Sequence, residues 1–178
     1  LTAVKMQLAL ARRSVPDAEA CAIDEARAIT DSALQSARQI SRLLHPPMLE
    51  DTGLAATLDW FLRGFSERTG IPVEFVHSGM EERPAPEVET CLFRVVQEAT
   101  TNIARHAGAT SVRVTLVRER DRFRMAIADD GRGFDPDHAA PDGHYGLANM
   151  RDRAEALGGS IELDSRPSGG TRIIVRIP

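Results

Sequence analysis

Apolar residues recur at helical spacing over the first 44 residues of the chain. A short amphipathic helix is predicted from four of them, which lie three or four positions apart: Val4, Leu8, Ala11 and Val15. After the break at Pro16, small and aliphatic residues over 18–44 follow the seam spacing of a coiled coil: Ala22, Ala26, Ile29, Ala33, Ala37, Ile40 and Leu44. Because two helices cannot bury both stripes by themselves, we expect a homodimer through this hairpin. A hairpin folded onto its own domain is the alternative.

Two prolines mark the end of the second predicted helix. Pro46 and Pro47 end it because proline removes a hydrogen-bond donor and disfavours helical geometry in the residue before it. We therefore expect one domain over 1–46 and a second over 47–178. The second domain alternates between helical and strand periodicity, with helices predicted over 54–69, 87–105 and 147–157 and strands over 71–76, 112–117, 123–128, 160–164 and 172–177. This order predicts an α+β fold, an α/β sandwich whose single sheet has helices on one side.

Composition narrows the function classes. Hydrophobic residues make up 42% of the chain, as in ordinary globular proteins, and the net charge of −4 argues against a nucleic-acid partner. No apolar run spans a bilayer and no signal peptide is present, so we expect a cytoplasmic location and no membrane contact by this chain. The chain begins inside a predicted helix, and we expect a fragment of a longer protein that could be membrane-anchored. Cys21 and Cys91 lack metal-ligand spacing and are expected to be buried free thiols.

A polar stripe accompanies the apolar face of the helix predicted over 87–105. At about 100° per residue, Glu98, Asn102 and His106 lie on one side of that helix. The side-chain oxygen of Asn102 is a suitable magnesium ligand, and Arg105 or His106 could donate to a phosphate. A solvated helix face explains the same spacing, so this stripe is a weak indication by itself.

Three glycine-containing elements follow it along the chain. Asp129 ends a predicted strand before Gly131 and Gly133, where a carboxylate can accept from a base amino group and glycine lets the backbone approach a ligand. A simple Asp-Gly turn is the alternative. Gly146 and Leu147 open a predicted helix, whose free N–H groups favour phosphate. The third element, 169–171, ends in Thr171, whose hydroxyl could reach a base directly or through water.

In this order the four elements resemble the N box and three glycine boxes of the GHKL (Bergerat-fold) ATPases, which include histidine kinases, gyrase, Hsp90 and MutL. The absence of Gly-Lys-Ser/Thr after a strand excludes a P-loop. Within the superfamily, the stretches 94–107 and 146–159 resemble sensor histidine kinases that pair with NarL/LuxR-type response regulators. Residues 1–7 resemble the segment just after that family's His-Asp phosphoacceptor motif, and 42–47 resemble the end of its dimerisation hairpin, although Arg is more usual than His before the proline.

The resemblance implies a role for each matching residue. Asn102 would bind magnesium and Asp129 would accept from adenine, with Thr171 supporting the base. Gly131 and Gly133 would open the nucleotide loop, and Gly146 and Leu147 would line the phosphates. Glu98 matches the general base of gyrase-like members, and in a kinase it would orient the attacking imidazole or a metal-bound water. The stretch 134–145 would form a short mobile lid over ATP.

One departure from the family concerns the phosphoacceptor. No His-Asp motif lies on the first helix, so we expect a kinase core that binds ATP and magnesium but does not phosphorylate itself. His138 and His144 are expected to be solvent-exposed residues without a metal. An anti-sigma serine kinase is an alternative, against which the helical hairpin argues. A degenerate nucleotide-binding or dimerisation module is another, against which the retained Asn102 and Asp129 argue.

Overall fold

A computed structural model describes residues 47–135 and 144–178, together with residues 7, 12, 23, 24, 26 and 30. The chain divides into two compact units, Leu1–Pro47 and Met48–Pro178. In the first unit the individually described residues are helical, and Arg12 Nε donates to the Asp24 carboxylate at 3.2 Å. The coiled-coil seam (apart from Ala26), Cys21, His45, His138, the side chain of His144 and most of the 134–145 stretch lie outside the described residues. The dimerisation hairpin therefore stays a prediction.

The second unit is a mixed α/β structure. Its elements, in chain order, are α1 (Pro47–Thr69), β1 (Val73–Ser78), α2 (Pro86–Asn102), a π-helical turn (Ile103–Ala107), β2 (Val112–Glu119), β3 (Arg122–Asp129), α3 (His144–Glu155), β4 (Ser160–Ser165) and β5 (Thr171–Ile177). The five strands form one sheet in the order β1-β2-β3-β5-β4. β1 pairs parallel with β2, and the other three pairings are antiparallel.

The sheet buries one of its two faces. Strand residues alternate between the faces, and the inward rows of β2, β3 and β5 are almost completely buried: Val112, Val114, Leu116, Phe123, Met125, Ile127, Ile173, Val175 and Ile177. Helices α2 and α3 pack on this face, and Phe61 of α1 meets Phe93 of α2 edge to face at 5.4 Å between ring centroids. The prediction of one sheet with helices on one side is confirmed.

Several predicted boundaries were wrong, each for a local reason. Helix α1 begins at Pro47 instead of 54, because proline fits the first turn of a helix. Gly53, with φ 79° and ψ 176°, interrupts α1 and leaves a short leading segment. The first strand begins at Val73 instead of 71, after Pro72, which has no N–H to donate to a sheet.

The helix predicted over 87–105 also ends differently. Regular α-helix stops at Asn102, and Ile103–Ala107 continues it as a π-helical turn that ends at Gly108 with φ 59°. The interval of 100° per residue does not apply within a π-helical turn. The predicted stripe therefore holds for Glu98 and Asn102 but not for His106.

A buried carboxylate joins the start of the second unit to its body. Glu89 is 2% exposed and accepts from the Arg83 guanidinium at 2.9 and 3.1 Å and from the Leu54 backbone N–H at 3.2 Å. Arg83 also donates to the carbonyl oxygens of Leu49 and Glu50. The pKa of Arg83 is raised, mainly by its hydrogen bond to Glu89. The pair thus fixes the break in α1 against the first turn of α2.

We expect Glu89→Ala to lower the free energy of unfolding by about 1–3 kcal/mol, because the change leaves the buried Leu54 N–H without its acceptor and the half-exposed Arg83 without its ion-pair partner. Glu87→Ala is the matched control, since Glu87 lies exposed on the same turn and its loss should cost less than about 0.5 kcal/mol. Urea denaturation of the three proteins measures both values. Equal effects of the two substitutions would show that the buried pair does not stabilise the fold.

Candidate functional site

Helix α2 carries two polar side chains along the edge of its buried face. Pro86 and two acidic residues form its first turn, and an apolar stripe that includes Val95 and Ala99 buries it against the sheet. Glu98 and Asn102, one helical turn apart, are half-buried beside that stripe. Within the described part of the chain, neither side chain makes a hydrogen bond. Two unpaired oxygen-bearing groups are therefore available at the C-terminal end of α2.

The π-helical turn places the next two predicted site residues differently. Arg105 and His106 are both exposed, and neither contacts the other predicted site residues through a recorded hydrogen bond or ion pair in the described chain. His106 lies within the π-helical turn, where the α-helical interval used to align it with Glu98 does not apply. Arg105 and His106 therefore lie on the protein surface after the C-terminal end of α2, with solvent-exposed side chains.

Asp129 is the last residue of β3 and pairs in register with Thr171, the first residue of β5. Its carboxylate is half-buried and accepts from the Gly131 N–H at 2.9 Å. Burial raises the pKa of Asp129, an effect that the backbone N–H groups of Gly131 and Thr171 oppose and that neighbouring Asp130 reinforces. Asp129 therefore presents a carboxylate with remaining acceptor capacity at the end of the central strand β3.

The neighbouring carboxylate, Asp130, points elsewhere. It accepts four hydrogen bonds, from the N–H and hydroxyl groups of Thr110 and Ser111, at 2.6 to 2.9 Å. These bonds hold the pKa of Asp130 well below its usual range. Asp130 was not among the predicted site residues, although an acidic residue directly after a strand and a Thr-Ser pair directly before another are visible in the sequence. Asp130 joins the end of β3 to the segment that enters β2.

The loop after β3 runs very close to the end of the helical segment. A Cβ at Gly131 would lie 2.5 Å from the carbonyl oxygen of Ala107, and the N–H of Arg132 donates to that oxygen at 2.8 Å. Gly133 has a φ of 56° and lies against the β4–β5 turn, where a Cβ would be 2.6 Å from the Gly170 carbonyl oxygen. Any side chain at these two positions would displace backbone, so the glycines are required by packing.

A serine hydroxyl connects this loop to β5. Ser165, at the end of β4, is buried; its Oγ accepts from the Phe134 N–H at 3.0 Å and lies 3.0 Å from the Thr171 hydroxyl. It also donates to the Gly170 carbonyl oxygen at 3.1 Å. Sequence analysis missed Ser165 because nothing in the pattern distinguishes it from other strand-end serines. It holds Thr171 beside Asp129.

Helix α3 approaches α2 at its first turn. The Glu98 carboxylate lies against Gly146, so that a Cβ at Gly146 would be 3.0 Å from Glu98 Cδ and closer still to Oε1. Leu147 is half-buried and packs against the core. The first turn of α3 thus contacts α2 at Glu98, and the loop after β3 contacts the π-helical extension of α2 at Ala107. The two contacts lie at opposite ends of the segment 98–107.

Other kinds of site were sought in the described residues. Within 47–135 and 144–178, no group of three or more His, Cys, Asp or Glu side chains could hold a metal ion. His77 is exposed near the end of β1, and Cys91 is a buried free thiol whose pKa is raised by burial, as expected for a structural cysteine. No described helix has the length and apolar character needed to cross a membrane.

The chain is similar to known proteins over this same region. The profile of the family described as histidine kinase-, DNA gyrase B-, and HSP90-like ATPase matches residues 87–178. The signal transduction histidine-protein kinase/phosphatase DegS of Brevibacillus brevis is 38% identical over 88% of this chain and 40% of its own length. The sensor histidine kinase MctS of Rhizobium johnstonii is 36% identical over 96% of this chain and 38% of its own length.

The chain therefore spans about two-fifths of the length of these two relatives. Among solved structures, the histidine kinase domain of the blue-light activated histidine kinase from Erythrobacter litoralis has a TM-score of 0.62 and 23% identity, covering 100% of this chain and 96% of that one. That likeness shows a shared fold. With the family profile covering the whole candidate site, the chain belongs to the histidine kinase-, DNA gyrase B- and HSP90-like ATPase family.

Proposed function

We propose that this chain is the ATP-binding catalytic core of a two-component sensor histidine kinase. It would support transfer of the ATP γ-phosphoryl group to a histidine, and from there to an aspartate of a response regulator. The single observation that carries the proposal is that the four predicted elements adjoin one another, with Gly170 of the last element lying against Asp129 and Gly133 of the β3 loop. The first turn of α3 meets α2 at Glu98, and the loop after β3 meets the π-helical extension of α2 at Ala107. The naming of both reported relatives as histidine kinases supports the same conclusion.

Asp129 is proposed to recognise the adenine base. Its half-buried carboxylate keeps acceptor capacity beyond the bond from Gly131, and an adenine amino group is a donor that this capacity matches. Thr171 lies directly opposite in the sheet, with its hydroxyl 3.0 Å from Ser165 Oγ. A base at this end of the sheet would thus meet one carboxylate and one hydroxyl, both held by hydrogen bonds.

Asn102 is proposed to bind magnesium, and Glu98 is proposed to orient the group or water that reacts with the phosphate. Magnesium prefers oxygen ligands and takes few of them from the protein, so an unpaired amide oxygen with a carboxylate one turn away fits such a site. When bound, magnesium supplies neutralisation of phosphate charge. Asn102 would hold it, and Glu98 would orient the attacking group or a water from the same face of α2.

The phosphates are proposed to lie between α2 and the start of α3. Gly146 and Leu147 belong to the first turn of α3, where backbone N–H groups lack helical partners. Arg105 and His106 are exposed on the surface and would donate from outside, while Gly131 and Gly133 keep the loop backbone clear of side chains. Such catalysis consists of positioning and electrostatic stabilisation.

The partners of the whole protein follow from the same proposal. We expect a response regulator of the NarL/LuxR type, because residues 94–107 and 146–159 resemble the kinases that pair with it. We expect a homodimer through the helical hairpin of 1–46 and a cytoplasmic location for the catalytic domain, 47–178. Nothing in the composition offers a basic surface to nucleic acid.

Asn102→Ala should remove the magnesium-dependent part of the affinity for ATP, because the variant lacks the proposed oxygen ligand. Calorimetric titration with ATP, in magnesium and in EDTA, measures that part as the difference between the two dissociation constants. Thr101→Ala, a change at the adjacent exposed position of α2, is the control and should keep the difference. An unchanged difference in Asn102→Ala would refute the metal assignment.

Asp129→Asn should weaken ATP binding by about 1–3 kcal/mol and reduce the preference for ATP over GTP, because a flipped amide places a donor against the adenine amino group. Competition titrations with the two nucleotides give the ratio of affinities. Asp121→Asn removes an equal negative charge from the exposed β2–β3 turn and is the control; its ratio should match that of the unmodified chain. If Asp129→Asn keeps the full ratio, Asp129 is a turn residue without a role in base recognition.

A further inference from the structure

Glu98 and Gly146 form a close contact between α2 and α3. An ideal Cβ at Gly146 would overlap Oε1 of Glu98 and would lie 3.0 Å from Cδ and 3.4 Å from Cγ. The end of the glutamate side chain therefore fills the volume that a side chain at 146 would need. No backbone atom is among these neighbours, so the contact concerns the Glu98 side chain alone.

Buried residues lie close to this contact along both helices: Val95 and Ala99 on α2 and Met150, one turn after Gly146 on α3. Glu98 itself is half-buried and makes no hydrogen bond within the described ranges, so no polar partner there holds its carboxylate in place. A negative charge beside the first turn of a helix is also favoured by the helix dipole.

We propose that Gly146 is a positioning residue for Glu98. Because residue 146 has no side chain, the Glu98 carboxylate lies against α3 on the same face as Asn102, one turn further along α2. This inference deepens the proposed function, on which the role of Glu98 rests. If Gly146 instead lined the phosphates, a side chain at 146 would weaken ATP binding directly. A positioning role requires that such a side chain weaken ATP binding only by displacing the Glu98 carboxylate.

The sign of the change in melting temperature on Gly146→Ala distinguishes the contact with Glu98 from the general preference of helices for alanine over glycine. Glycine inside a helix is less favourable than alanine, so Gly146→Ala by itself should not lower the melting temperature. The contact predicts the reverse whenever Glu98 is present, because the new methyl group and the carboxylate compete for one volume. The sign of the change in melting temperature on Gly146→Ala should therefore depend on whether residue 98 is glutamate.

A double-mutant cycle tests this dependence by thermal denaturation of the full chain. We expect Gly146→Ala to lower Tm by about 2–4 °C with Glu98 present and to leave Tm unchanged or raised in the Glu98→Ala background. Gly64→Ala is the control: Gly64 lies inside α1, where a Cβ would meet only the flexible end of Arg68, at 3.1 Å. Its effect should be the same in both backgrounds. Equal effects of Gly146→Ala in the two backgrounds, or no decrease in either, would overturn the proposal.

Rescue by a shorter carboxylate tests positioning as opposed to stability alone. Glu98→Asp retracts the carboxylate by one methylene, which leaves room for a methyl group at 146. Gly146→Ala should lower the magnesium-dependent affinity for ATP at least about 3-fold with Glu98 present and should have no further effect when added to Glu98→Asp. An equal loss in both backgrounds would assign Gly146 to direct phosphate contact and overturn the proposal. If the unmodified chain binds no ATP, the proposed function fails, while the thermal cycle still decides the contact.

Discussion

Close backbone approach around the loop that follows β3 is the constraint on which the rest of the site depends. Gly131 lies against the Ala107 carbonyl, Gly133 against Gly170, and Gly170 against the carbonyl of Asp129, each too closely for a side chain. The loop is therefore fixed both to the helical segment that extends α2 and to the turn that enters β5. Because these contacts involve backbone, the loop keeps its N–H groups and the Asp129 carboxylate in one arrangement before any ligand binds, which lowers the cost of ordering the site on binding.

Two adjacent carboxylates, Asp129 and Asp130, differ in how much of their acceptor capacity the protein itself uses. Asp130 is satisfied by four hydrogen bonds from Thr110 and Ser111, which use its acceptor capacity within the protein. Asp129 is desolvated by burial, and its carboxylate is bound only by backbone N–H groups within the described chain, those of Gly131 and Thr171. The desolvation raises its pKa, whereas the bonds to Asp130 lower the pKa of that residue. The group left with unused acceptor capacity is the one that can recognise a ligand.

Local patterns predicted most of the fold and the order of the site elements. Alternation along β2, β3 and β5 and the amphipathic stripe of α2 report burial directly, so these elements were predicted within two or three residues at each end. Contacts that depend on tertiary approach could not be predicted in this way. The π-helical turn that contains His106, the bonds of Asp130, the hydroxyl of Ser165 and the contact between Glu98 and Gly146 all join segments distant in sequence or depart from regular geometry.

The central claim is that a nucleotide binds where α3 and the β3 loop meet α2. Hydrogen exchange of the full chain, measured with and without magnesium and a non-hydrolysable ATP analogue, tests it most directly. The account predicts slower exchange in peptides that cover 98–107, 129–133 and 144–150, with no change in 116–124, where β2 ends and β3 begins at the opposite end of the sheet from Asp129. No change in those three segments, or slower exchange confined to other parts of the chain, would contradict the account.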